Sequence, residues 1–174
     1  MKKKMTLPYV TMIVTVFTFV NIPGLYGQEG VNITAGFGFP ETINVGIRYE
    51  KGQSQIGVAA GFLPATDERI TNVSITFWHH FIGSSVFTER RPWYGRLGVD
   101  YINDKMEGSP GDKLVFLDMR GGREFNISEN FGISLDAGIL YKLYADAGGS
   151  DLGQFIFDVM WAMPAGGISI FYKF

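Results

Sequence analysis

The sequence predicts an all-β chain: a single eight-stranded antiparallel up-and-down transmembrane β-barrel after an N-terminal signal peptide. Three observations lead there. The chain opens on a segment with the layout of an export signal. Eight later segments alternate apolar and polar residues with a period of two, and none shows a convincing helical period. The polar face of those segments is built from glycine and from charges of both signs.

The opening segment has three parts. Lys2, Lys3 and Lys4 give it a positive start. An apolar run follows from Leu7 to Ile22, and Pro23 and Gly24 break it. Small Gly27 then precedes Gln28, which places cleavage after Gly27. The run is short for a spanning helix, which needs about 20 residues. The expected division is therefore a signal peptide over Met1–Gly27 and a barrel domain over Gln28–Phe174.

The eight strands come in order. Val31–Phe39 sets Ile33, Ala35, Phe37 and Phe39 against Asn32, Thr34, Gly36 and Gly38. After Pro40, Thr42–Glu50 sets Ile43, Val45, Ile47 and Tyr49 against Asn44, Gly46, Arg48 and Glu50. Ser54–Leu63 sets Ile56, Val58, Ala60 and Phe62 against Gln55, Gly57, Ala59 and Gly61. Arg69–Phe81 opposes Val73, Ile75 and Phe77 to Asn72, Ser74 and Thr76. A longer connection, Gly83–Pro92, leads to Trp93–Ile102, where Trp93, Leu97, Val99 and Tyr101 oppose Tyr94, Arg96, Gly98 and Asp100. Lys113–Ile127 sets Val115, Leu117 and Met119 against Asp118, Arg120, Gly122 and Glu124. Phe131–Tyr144 sets Ile133, Leu135, Ala137, Ile139, Tyr141 and Leu143 against Ser134, Asp136, Gly138 and Lys142. The eighth strand lies within Phe155–Phe174, most clearly over Gly167–Phe174.

Composition fits a chain that hides its membrane nature. Charged residues are 18% of the chain, below the usual share of about 25%. Aromatics reach 15%, and there are 23 glycines. Mean hydropathy is only +0.10, too low for a helical membrane protein but compatible with a barrel in which every second residue meets lipid. The net charge of −2 offers no basic surface to nucleic acid. Without cysteine there is no disulfide framework, thiolate metal site or lipid-anchored cysteine.

Alternation alone leaves open which face points out, since a secreted lipocalin-like carrier of an apolar ligand also has eight strands. The polar face decides for lipid outside. Its glycines leave room in a narrow lumen for Arg48, Arg96, Arg120 and Lys142, with Glu50, Asp100, Asp118, Glu124 and Asp136 to pair with them. Tyr49, Phe62, Trp93, Tyr101, Phe131, Tyr141 and Tyr172 fall near strand ends, as interfacial aromatic girdles do.

The last strand, Ile168-Ser169-Ile170-Phe171-Tyr172-Lys173-Phe174, ends on an aromatic with an apolar residue at every second place before it. This resembles the C-terminal signature of bacterial outer-membrane barrels. Strand count, length and signal resemble the small OmpX/OmpA-type family. Tyr94-Gly95-Arg96-Leu97-Gly98-Val99 and Asn130 to Gly138 look like strands of such proteins. The resemblance implies a Gram-negative outer membrane, with outer-membrane lipid and lipopolysaccharide as surroundings. It also implies biogenesis through the barrel-assembly machinery and periplasmic chaperones, and a monomer. It implies no single activity.

Chemistry is sparse. His79 and His80, with Ser84 and Ser85 nearby, raise a lipid A-modifying enzyme as an alternative. The even fourth strand, however, ends on the periplasmic side, away from lipid A. The pair is expected to be interfacial, beside Trp78 and Phe81. Gly36-Phe37-Gly38-Phe39 precedes no helix and is no nucleotide loop. The Asn-x-Ser/Thr triplets at Asn32, Asn72 and Asn126 read as lumen-facing polar residues. Asp146, Asp151 and Asp158 fit no calcium-loop spacing. No catalytic, cofactor-binding or metal-binding residues are assigned. The expected role is structural or surface-interacting, with a lumen filled largely by polar side chains and external loops at Phe39–Thr42, Pro64–Arg69, Asn103–Asp112 and Tyr144–Phe155.

Overall fold

The computed structural model describes residues 29–64, 68–106, 111–146 and 161–174. The expected signal peptide and its cleavage point lie outside the described residues, as do 65–67, 107–110 and 147–160. Eight strands follow one another: β1 Glu29–Phe39, β2 Thr42–Lys51, β3 Ser54–Pro64, β4 Glu68–Ile82, β5 Trp93–Met106, β6 Asp112–Asn126, β7 Phe131–Asp146 and β8 Ala162–Lys173. Each pairs antiparallel with the next, and β1 pairs with β8, so the sheet closes without an edge. Closure matters because an open sheet edge cannot leave its backbone groups unpaired in lipid.

The alternation resolves as apolar outside. Ile47, Val58 and Ile139 are 54%, 55% and 47% exposed, whereas Arg48 and Asp118 are 6% and 0%. The lipocalin-like alternative needs the reverse arrangement and is thereby removed. On β5 the outward apolar stretch runs from Trp93 to Tyr101, close to the span of about 9–11 residues that a tilted strand needs to cross a bilayer. The seven aromatics fall into two sets. Tyr49, Trp93, Phe131 and Tyr172 lie at the end that carries the termini; Phe62, Tyr101 and Tyr141 lie at the far end.

Close strand approach depends on bare backbone at a few points. A Cβ on Gly138 would sit 2.1 Å from the Met119 carbonyl oxygen and 2.6 Å from Arg120 Cα. Gly121, on the opposite face of the sheet, has nothing within 4 Å. The ladder is broken twice, between His80 and Ile82 and between Val115 and Phe116. At each break one strand carries an extra residue, so its inward parity switches: Ile82 points outward beyond His80, and Ala145 rather than Tyr144 points inward beyond Lys142.

Gly138→Ala is expected to lower stability by about 1–3 kcal/mol, because backbone atoms cannot step aside for the methyl group. Gly121→Ala should be neutral. Urea unfolding in lipid vesicles compares the two, and equal effects would contradict the packing described here.

Candidate functional site

Among the described residues the fold gathers its reactive side chains in the lumen, which divides into three storeys. The middle storey is an ion-pair network around two arginines on neighbouring strands. Arg96 and Arg120 face each other across β5 and β6. Arg120 donates from Nε to Asp118 at 2.7 Å, from one terminal nitrogen to Asp136 at 3.0 Å and from the other to Glu41 at 2.8 Å. Arg96 bonds to Glu41, reaches Asp118 at 2.9 Å and Asp136 at 3.4 Å. Tyr94 donates its hydroxyl to Asp136 at 3.1 Å.

Glu41 belongs to the turn between β1 and β2, yet it is buried. It enters the lumen because Gly61 opposite has no side chain: a Cβ there would collide with the Glu41 carbonyl. Trp78 lies under the network, with the Arg48 guanidinium 4.4 Å and the Arg96 guanidinium 5.6 Å from its ring centre. Such stacking favours arginine where water is scarce.

The storey toward the termini is closed by a loop. Residues 83–92 turn back so that Arg90 enters the lumen and bonds to Glu50 and to Glu124, the latter at 2.7 Å. Lys173 also bonds to Glu50, which accepts from Asn32 at 3.0 Å. The loop is fastened on several sides. The Glu124 amide donates to Pro92 at 2.9 Å, Arg91 N–H donates to Gln53 at 2.9 Å, and Asn126 donates to Ser85 at 3.0 Å. Phe171 packs beneath Arg90, 6.0 Å from its guanidinium.

The far storey is apolar. Ile102, Leu114, Phe116, Leu140, Met163 and Ala165 form a buried cluster, with Ile70 and Ala145 against it. The filling is largely polar, as expected; beyond Asp100 and Asp118 this apolar layer interrupts it, and Asp112 is buried again at the rim. A cavity of about 40 Å³ remains, lined by residues including Thr34, Thr76, Trp78, Arg96, Arg120 and Ser169. That is room for a few waters, not for a solute.

The structure brings together Arg48, Arg96, Arg120, Glu50, Asp100, Asp118, Glu124 and Asp136, as the alternation implies, and leaves Lys142 half-buried nearer the far end. It adds Glu41 and Arg90 from connections, where alternation gives no signal, and Lys173 from the last strand. The interfacial placement of the histidine pair is corrected for one member. His80 is buried in the lumen, its Nδ1 2.6 Å from the Arg91 carbonyl and its ring 5.2 Å from Tyr94. It continues the inward phase of Asn72, Ser74, Thr76 and Trp78. His79 faces outward, 3.1 Å from Ser54 Oγ, and among the described residues no carboxylate bonds to its ring.

Glu41, Asp100 and Asp118 offer carboxylate oxygens within 4.8 Å of one another. Arg96 and Arg120 already supply the positive charge to two of them. Asp100 differs: both its oxygens are buried without a hydrogen-bond partner.

No family model and no curated protein matches the sequence. Solved structures do resemble the fold. The N-terminal β-barrel domain of Pseudomonas aeruginosa OprF aligns with a TM-score of 0.62 at 15% identity, over 85% of this chain and 99% of that one. Neisserial surface protein A aligns with a TM-score of 0.50 at 12% identity, over 84% of this chain and 96% of that one. The chain thus has the architecture of a small OmpX/OmpA-type barrel.

Two substitutions separate paired from unpaired charge. Asp118→Asn should cost about 3–5 kcal/mol, because it takes one of three carboxylates from both Arg96 and Arg120 in a buried network. Asp100→Asn should be neutral or stabilising, because it removes a buried carboxylate that accepts no hydrogen bond among the described residues. Equilibrium unfolding in vesicles measures both, and equal losses would contradict the pairing.

Proposed function

We propose that this chain is an outer-membrane protein of a Gram-negative envelope, with both termini on the periplasmic side and a structural or surface-interaction role that involves no catalysis. The observation that carries this reading is the sorting of side chains: branched and aromatic residues cover the outside of a closed cylinder, while salt bridges fill its middle. Outer-membrane lipid and lipopolysaccharide are its surroundings, and it is inserted as a monomer by the barrel-assembly machinery with the help of periplasmic chaperones. The blocked lumen favours a role carried by the surface over passage of large solutes. The connections expected over Asn103–Asp112 and Tyr144–Phe155 are the segments offered to outside partners.

Membrane fractionation with gel mobility before and after boiling tests the reading. The barrel is expected in the outer-membrane fraction, with a faster unboiled band. A soluble periplasmic product with one mobility would overturn it. The lipid A mass spectrum of the host should be the same with and without the protein, and a new lipid A species lost in His80→Ala would instead establish an enzyme.

A further inference from the structure

The outward face of β4, β5 and β6 changes character abruptly toward the far end. Cross-strand register aligns Ile75, Val99 and Leu117 in one outward row and Val73, Tyr101 and Val115 in the next. The row after that is Thr71, Asn103 and Lys113, and the last holds Arg69 directly opposite Lys105. Lys113 stands diagonal to Lys105, within reach of long side chains. Apolar, polar and cationic rows in that order mark the passage from hydrocarbon to headgroups.

Two further observations give the cations a ligand. Arg69 and Lys105 are like charges at directly opposed positions, an arrangement that destabilises a sheet unless something answers it. Arg69, Lys105 and Lys113 are all exposed. Among the described residues none of them joins a salt bridge, although Arg69 lies 5.5 Å from the Phe62 ring. The acids of the same strand ends are sorted the other way. Asp112 is buried and Asp104 half-buried on the inward side, and Asp146, across from Lys113, is the described exposed acid nearby. The outside of this rim is therefore cationic while its inside is acidic.

We infer that Arg69, Lys105 and Lys113 form a binding site for the phosphate groups of a phosphorylated glycolipid in the leaflet at the far end of the barrel. This rests on the outer-membrane reading, which makes that leaflet the one containing lipid A. The Arg69 guanidinium can take a phosphate through two parallel N–H donors, and the two lysines add point charges. Phe62 and Tyr101, just below, meet the first carbons of the acyl chains.

The test uses barrel recovered from membranes of cells expressing the full chain. It is mixed in detergent micelles with doubly phosphorylated lipid A or with its fully dephosphorylated form, and complexes are counted by native mass spectrometry. The chain with all three cations is expected to retain the phosphorylated form at least about tenfold better than the other, as a few-fold contribution per cation implies. The triple variant Arg69→Gln, Lys105→Gln, Lys113→Gln should lose that preference, whereas Arg123→Gln, an exposed cation at the opposite end, should keep it. Unchanged preference in the triple variant, or loss in Arg123→Gln, overturns the site. Heat-modifiable mobility is recorded on the same samples. If it is absent from the unsubstituted protein, the membrane reading falls and the site with it; if it is present, a failed binding result falls on the site alone.

Discussion

Two guanidinium groups, Arg96 and Arg120, held between Glu41, Asp118 and Asp136, are the constraint on which the rest of this barrel depends. Charges enclosed by the closed sheet have little water to fall back on, so most of them find a partner within the cylinder. That requirement fixes the glycines that bring strands close, the inward dip of the first hairpin and the stacking on Trp78. Outward residues then serve the surrounding medium, with branched and aromatic side chains along most of the wall.

The three storeys divide the labour of closing the lumen. At the end bearing the termini, Arg90 is delivered by a ten-residue connection and secured by hydrogen bonds to β2 and β6 and to the turn before β3. At the other end Leu140, Phe116 and Met163 pack against one another. The contrast has a physical basis. A polar stopper needs a loop long enough to bring a charge to its partners, whereas an apolar one needs only that strand residues keep pointing inward.

Most of the architecture could be read from the sequence, because a period of two states which residues share a face and the partition of glycine and charge states which face is inside. The same rule, carried one step further, places Trp78, His80 and Phe116 in the lumen. Hydrophobicity and side-chain size suggested an interfacial site for the histidines, and parity proves the stronger signal. Glu41 and Arg90 were not legible: they lie in a turn and a loop, where no periodicity applies and only the three-dimensional neighbourhood of Gly61 or Glu124 reveals their direction. That Asp100 accepts no hydrogen bond among the described residues was equally hidden, since alternation counts inward charges without saying which of them meet.

The bond between Lys173 and Glu50 has a consequence for how the molecule is made. Glu50 lies on the second strand to be synthesised, Lys173 on the last, and β1 stands between them in the finished wall. Until the cylinder is zipped shut, that early carboxylate lacks one of its two cationic partners, and both outer strands display bare backbone. Electrostatic neutrality and the sealing of the seam are thus one event, so a half-built barrel carries its own penalty and the finished one its own latch.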